Sequence, residues 1–265
     1  MGAGAAWCYD GRVPDSLALY QYALWFVLIF AAINFVSLWF VVAPYGRHLR
    51  KGWGPTLNPR LAWIVMEAPS PICFALIYFS SPRAGELVPL SLAALYLLHY
   101  VYRSFIYPLR TRGGARKPVA TVSLAIIFNV CNGSINAYAI TELAPHLQSS
   151  WLYDPRFLFG VALFAFGYAV NHQADAILRG LRAPGERGYK IPYGGLYRWI
   201  SCPNYFGEIL EWIGFAIAAW TPAAAAFALF TASNLIPRAV AHHRWYHAKF
   251  SGYPRERKAV IPHLL

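Results

Sequence analysis

The chain has 265 residues, of which 58% are hydrophobic and only 13% charged, against roughly a quarter charged in an ordinary soluble domain. Its formal net charge of +12 would suit nucleic acid, but the Lys and Arg are dispersed between long apolar runs and form no single basic face, which excludes that partner. Cys8, Cys73, Cys131 and Cys202 have no paired short spacing, so neither a disulfide framework nor a zinc site is indicated.

In chain order, the first apolar run, Leu17 to Ala43, is uncharged and too long for the core of a signal peptide, so it reads as a retained membrane span. Further spans are expected at Leu61 to Ser80, Leu87 to Tyr102, Val119 to Ile140, Phe157 to Leu178, Tyr205 to Ala219 and Pro222 to Pro237. The charges between them give an independent test, because cytoplasmic loops collect Lys and Arg. Segments 44–60, 103–118, 179–203 and the tail 238–265 hold 20 of the 23 basic residues. Arg12, Arg83 and Arg156 fall singly in the intervening stretches. That alternation implies an all-α integral membrane protein of seven transmembrane helices, with the N terminus outside and the C terminus cytoplasmic. Residues 1–265 then form a single seven-helix membrane domain. Its alanine- and arginine-rich composition favours a bacterial inner membrane, or the endoplasmic reticulum membrane if the source is eukaryotic.

Ionisable residues inside spans are expensive and therefore mark candidate sites. Four acids qualify: Glu67, Asp175, Glu208 and Glu211. Glu67 precedes Pro69 and Pro71, which open the helical hydrogen-bond ladder; its carboxyl, if protonated, can donate to a substrate oxygen, while the structural alternative is an acid that satisfies a freed carbonyl. Tyr100 closes the third span and reads either as an interfacial belt residue or as a partner of Glu67. Asn171 and Asp175, four residues apart, share a helical face that Arg179 extends, giving either an ion-paired helix end or a platform for ribose hydroxyls or a nicotinamide amide. Asn204, Glu208 and Glu211 follow a helix-starting Pro203 on one stripe; the two acids must face the bundle interior, near donors such as Arg238 or a cofactor.

Arg238, His242 and Tyr246 recur every four residues and line one face, suited to anion recognition. His243 and His247 have metal-pair spacing, but the remaining histidines, His99 among them, are isolated in sequence, so no metal is expected. No GxGxxG or Walker loop occurs, so a dinucleotide would be held by other means.

These residues carry a resemblance to the steroid 5α-reductase family over most of the chain after about residue 45. Its most specific parts are Asn171 to Asp175, Ala183-Pro184-Gly185-Glu186, Tyr189-Lys190-Ile191-Pro192, Gly194-Gly195-Leu196, Asn204-Tyr205-Phe206-Gly207-Glu208, Glu211 to Gly214, the Arg238 to Tyr246 helix, Tyr253-Pro254-Arg255 and Arg257 to Pro262. The resemblance implies NADPH in a cavity open to the cytoplasm and reduction of the double bond of a 3-oxo-Δ4-steroid. Glu67 and Tyr100 match the pair that holds the substrate's C3 carbonyl. Asn171, Asp175, Arg182, Tyr189, Asn204, Glu208, Arg238, His242 and Tyr246 match positions that contact NADPH. The stretch from Pro108 to Leu124 departs from the pattern, with Leu124 where an arginine is expected. The rival readings are a reductase of another conjugated lipid (an enoyl thioester or sterol olefin), a membrane methyltransferase, and a non-enzymatic steroid or lipid carrier. Expected partners are a steroid or lipid-like small molecule and membrane lipids, with no obligate protein partner.

Overall fold

The computed structural model describes residues 15–41, 52, 54–111, 116–183, 186 and 188–265. Cys8, Arg12, Arg47, Arg50, Lys51, Arg112, Pro184, Gly185 and Arg187 lie outside these residues.

The chain is built almost wholly of helices, and local chemistry explains where most begin. Helix α1 (Asp15–Phe40) is continuously apolar, and 26 residues at 1.5 Å each span about 39 Å, longer than a hydrocarbon core. Helix α2 (Pro59–Glu67) starts at Asn58, whose side chain accepts from the amides of Arg60 and Leu61, with Pro59 at the first helical position. It stops at Ala68 because Pro69 has no amide to donate, and α3 (Pro69–Phe79) continues the rod beyond that break. Helix α4 (Leu87–Val101) runs into a π turn over Tyr102–Ile106 and the short α5 (Tyr107–Arg110). After α6 (Val119–Tyr138), α7 (Pro155–Gly180) is capped by Asp154, which accepts from the Arg156 amide at 2.8 Å and pairs with its guanidinium. The arginine beside Asp154 holds its carboxyl down at about 2. Helices α8 (Pro203–Ala219) and α9 (Pro222–Lys249) are joined by Trp220, in a left-handed conformation, and Thr221, which caps α9.

Five helical segments (α1, α2 with α3, α6 with its π turn, α7 and α9) are long and apolar enough to cross a membrane. Helix α8, with 17 residues, is shorter than the roughly 20 residues that a full crossing needs, and α4, with 15, reaches that length only with the π turn and α5 that continue it. Element ends differ from expectation by a few residues. The larger differences are the break at Ala68, which splits the second span, and the continuation of the third past Tyr102 to Arg110. Helix α9 runs through Pro237 and carries the Arg238 to Tyr246 stripe as expected.

The closest packing joins α7 to α8, antiparallel, through glycines seven residues apart on each: Gly160 and Gly167 against Gly207 and Gly214. A Cβ on Gly207 would lie 2.5 Å from the Asn171 amide nitrogen and 2.6 Å from the Gly167 carbonyl oxygen. Only glycine lets the two backbones approach so closely. A two-stranded antiparallel pair, β1 (Thr56–Leu57) with β2 (Lys117–Pro118), ties the foot of α2 to the start of α6. The tail is ordered by mutual packing: the Ser201 and Cys202 amides donate to the Lys258 and Ala259 carbonyls at 2.8 and 3.0 Å. Among the described cysteines, Cys202 is buried while Cys73 and Cys131 are half-buried, and all three are free thiols.

Gly167→Ala or Gly207→Ala should force α7 and α8 apart and cost about 1 to 3 kcal/mol. Thermal unfolding in detergent should show a lower midpoint for either, while Gly85→Ala, whose added Cβ meets nothing within 4 Å, should leave it unchanged.

Candidate active site

The π turn after α4, the proline break in α2/α3, the hairpin residue Lys117 and the inner faces of α8 and α9 together enclose a cavity of about 410 Å³. Glu67, His99, Tyr100, Arg103, Lys117, Glu208 and Arg238 all line it. Its other walls are mostly apolar, from Phe30, Ile33 and Leu38 of α1, Phe128 of α6 and Phe227 and Phe230 of α9, with Asn34 and Ser37 of α1 and Thr231 and Asn234 of α9 interspersed. A largely apolar pocket with a few convergent polar groups is the usual form of a small-molecule site.

Glu67 projects from the last residue of α2, where the helix breaks. The Met66 carbonyl at that break is satisfied by the Asn129 side-chain amide at 2.6 Å, so Glu67 is not needed for that task and faces the cavity instead. Tyr100, 3% exposed, is held from behind by a polar network. Asn132 donates to the hydroxyls of Tyr96 and Tyr100 at 3.1 and 3.3 Å, and Ser70 and Tyr96 share a 2.7 Å hydrogen bond. An amide nitrogen only donates, so Asn132 occupies a lone pair of the Tyr100 oxygen, and the Tyr100 hydroxyl also belongs to the hydrogen-bonding network of Tyr96 and Ser70. Asn136 in turn donates to the Asn132 side-chain oxygen at 3.0 Å.

The two acids of α8 do face inward, but their partners differ from those expected. Glu208 lies 3.7 Å from the Arg103 guanidinium, and Glu211, fully buried, binds His99 Nδ1 at 2.7 Å. Arg238 instead donates to the Tyr205 hydroxyl at 3.1 Å, which is also 3.1 Å from His242 Nε2. His99 is isolated in sequence, as read, and its partner lies 112 residues away.

Of the two readings of this helix end, the ion pair from Asp175 to Arg179 does not form, and Asp175 takes part in a link between helices instead. Asn204 donates to Asp175 at 3.1 Å, and Asn171 donates to the Asn204 carbonyl at 2.9 Å. Close glycine packing of α7 on α8 brings these three side chains together and makes the cross-helix bond shorter to reach than the bond along α7. Glu67, Tyr100, Glu208 and Arg238 thus meet at the cavity, His242 adjoins it through Tyr205, and Asn171, Asp175 and Asn204 form a neighbouring polar seam. The remaining three stand apart from the cavity. Tyr246 is buried against Tyr253 with stacked rings 5.1 Å apart, Tyr189 packs edge-on to Trp245, and Arg182 is exposed.

Sequence reading missed Lys117, Arg103 and the asparagines of α6. The asparagines carried a legible signal: Asn129, Asn132 and Asn136 fall at i, i+3 and i+7 in an otherwise apolar helix, one polar stripe that must face protein. Lys117 carried none, because it belongs to a loop rich in basic residues and only the hairpin turns it inward. There it is 5% exposed, with its ammonium 4.1 Å from the Trp63 ring centre.

Burial pushes the Lys117 ammonium down to about 8, with Arg238 and Arg103 adding repulsion and Glu67 opposing. A lysine whose folded pKa lies below its ordinary 10.5 binds its proton less well folded than unfolded, so it destabilises the fold most below pH 8. Stability should rise from about pH 8 to 10.5 as that penalty is relieved. Melting midpoints measured across this range should rise less in Lys117→Met than in the parent protein.

The family model described as 3-oxo-5-alpha-steroid 4-dehydrogenase matches residues 115–265. A steroid 5-alpha-reductase of Gossypium hirsutum is 42% identical over 257 residues, covering 92% of this chain and 96% of that protein. The 3-oxo-5-alpha-steroid 4-dehydrogenase 1 of Rattus norvegicus is 41% identical over 254 residues, covering 95% and 97%. Its namesake in Homo sapiens is 43% identical over 223 residues, covering 83% and 85%. With identity of this order along nearly the whole length and a family match that includes α6 to the C terminus, the chain belongs to the 3-oxo-5-alpha-steroid 4-dehydrogenase, or steroid 5-alpha-reductase, family.

Proposed function

We propose that this protein reduces the Δ4 double bond of a 3-oxo-Δ4-steroid to the 5α product, with NADPH as reductant. The observation that carries the reading is the convergence of the Tyr100 hydroxyl and the Glu67 carboxyl on one apolar-walled cavity that also holds Arg103, Lys117 and Arg238. The donor set fits a phosphate-bearing cofactor. Arg238 presents a planar donor fork, His242 stands beside it through Tyr205, and Asn171, Asp175 and Asn204 offer donors and acceptors for hydroxyl and amide groups. Bound there, NADPH would supply a hydride to the enone's β carbon.

The chain's own residues then have three tasks. Tyr100 O–H and a protonated Glu67 bind the C3 carbonyl and stabilise the negative charge that develops on its oxygen as the enolate forms. In a dry site one such preorganised donor is worth about 3 to 4 kcal/mol. Phe227, Phe230 and Trp212 exclude water, and α1 supplies Phe30, Ile33 and Leu38 as apolar wall for the steroid body. The Asn132 amide, donating to the Tyr100 oxygen, holds the hydroxyl in place so that it can turn its proton to a bound carbonyl.

The chain as a whole is read as one seven-helix domain in which α4 and α8 also cross, with the N terminus outside and the C terminus cytoplasmic. The clustering of basic residues supports it: Arg83 and Arg156, the described basic residues of the outer loops, both serve local structure. Arg83 binds the Ala144 and Leu147 carbonyls at 3.1 and 3.0 Å, and Arg156 pairs with Asp154.

Tyr100→Phe and Glu67→Gln should each lower turnover about 10² to 10³-fold, as loss of one oxyanion donor does, with NADPH affinity preserved. Steroid-dependent NADPH oxidation with mass analysis of the product checks this; unchanged rates in both variants would remove the assignment. A C-terminal fluorescent fusion should light in the cytoplasm, and a C-terminal alkaline phosphatase fusion should stay inactive.

A further inference from the structure

The reduction also needs a proton at the α carbon, and neither Tyr100 nor Glu67 is free to give it while both hold the carbonyl oxygen. We infer that His99, oriented by Glu211, is the group that protonates the α carbon (C4) of the substrate. This rests on the reading of the site as an enone reductase.

His99 and Glu211 form the most deeply buried acid–base pair among the described residues: Nδ1 to Oε1 is 2.7 Å, with side chains 7% and 0% exposed. Glu211 Oε2 has no hydrogen-bond partner. A pair kept only to hold helices together would be replaced at no loss by apolar side chains, and a half-satisfied carboxylate makes it more expensive still. The pair is also placed for chemistry. His99 lines the cavity next to Tyr100, its ring centre 5.2 Å from the tyrosine's and 4.7 Å from that of Trp212. Glu211 binds Nδ1 from behind, which fixes the ring and leaves Nε2 as the nitrogen available to the cavity. A carboxylate behind a histidine sets its tautomer and stabilises the imidazolium, the arrangement used when a histidine passes a proton to a reacting atom.

The other groups at the cavity are less suited. Arg103 and Arg238 do not release protons at ordinary pH, Glu208 pairs with Arg103, and the Lys117 ammonium sits over the Trp63 ring, 4.1 Å from its centre, whereas Glu211 holds the His99 ring in one orientation. The step balances as follows. With the hydride that bound NADPH would supply, the β carbon gains its C–H bond, the C=C π bond breaks, and its electron pair rests as an enolate on the carbonyl oxygen held by Tyr100 and Glu67. The enolate's C=C pair then forms the new C–H bond at C4 with the proton of His99 Nε2–H, the carbonyl re-forms, and His99 is left neutral beside the Glu211 carboxylate. Solvent reprotonates the pair before the next turnover.

The test is turnover in D2O with NADPH and a 3-oxo-Δ4-steroid, with the product analysed by NMR before the ketone exchanges. The parent protein should place deuterium on a single face of C4. His99→Gln should lose about 10² to 10³-fold in kcat, the range for a general acid, with KM and NADPH affinity held within a few-fold, and should place deuterium on both faces. Glu211→Gln, which keeps size and one hydrogen bond, should lose about tenfold and show partial scrambling. A purely structural role would not alter which face is labelled, and if His99→Gln does not fold, Glu211→Gln reads the same step. Single-face labelling with kcat within a few-fold of the parent in the variant that folds would overturn the assignment and leave the reductase reading intact. No steroid-dependent NADPH oxidation by the parent protein would overturn both.

Discussion

A charged or strongly polar side chain in hydrocarbon costs several kcal/mol unless it meets a partner or a water-filled cavity, and the interior of this protein is arranged around that constraint. Most of its inward-facing acids and bases are collected at one place; among the described residues Asp175, bound to Asn204, and Arg257, bound to the Pro192 carbonyl, lie elsewhere. Glu67, His99, Arg103, Lys117, Glu208, Glu211 and Arg238 come from six different stretches of chain, yet each either lines the cavity or pairs with a group that does. Elsewhere the described helices show lipid only apolar side chains over long stretches, as along α1 with Leu19, Trp25, Ile29, Ile33 and Val36. The cavity is thus both the candidate site and the main solution to the burial problem among the described residues.

Backbone features set the positions. The proline pair at 69 and 71 breaks the second span where Glu67 sits, and Asn129 fills the resulting gap at the Met66 carbonyl. The glycine contact of α7 and α8 brings Asn171 and Asp175 to Asn204, and holds α8 so that Glu208 and Glu211 point at Arg103 and His99. The π turn after α4 follows directly on His99 and Tyr100 and carries Arg103, whose guanidinium lies 3.7 Å from Glu208 of α8 and over the Trp63 ring.

What the sequence revealed and what it hid divide along the same line. Charge-free runs and clustered Lys and Arg are local or regional properties, so the helical membrane class could be read directly, and so could Glu67 and the Arg238 stripe. Pairings between distant segments could not. Glu208 and Glu211 were readable as inward-facing acids, but their partners Arg103 and His99 lie about a hundred residues earlier and were indistinguishable in sequence from an interfacial arginine and a solitary histidine. Lys117 was hidden for the opposite reason: it sat in a basic loop whose composition predicts exposure, and two residues of antiparallel pairing with Thr56 and Leu57 reversed that. The α6 asparagines lay between these cases, because their spacing is periodic but polar amides in spans are easily taken for packing residues.

The lining of the cavity is of two kinds, and the mixture suits the two ligands of the proposed reaction. Phe30, Ile33, Leu38, Phe128, Phe227 and Phe230 offer apolar surface to a sterol-like body, with Asn34 and Ser37 of α1 among them. Arg103, Lys117 and Arg238 offer positive charge, so on the proposed reading a phosphate-bearing cofactor would meet charge of the right sign. Glu67, Tyr100 and His99 line the same cavity, so a substrate and a cofactor held in it would share one set of buried polar groups. One shared cavity, instead of two, keeps down the number of costly groups that the apolar helices must bury.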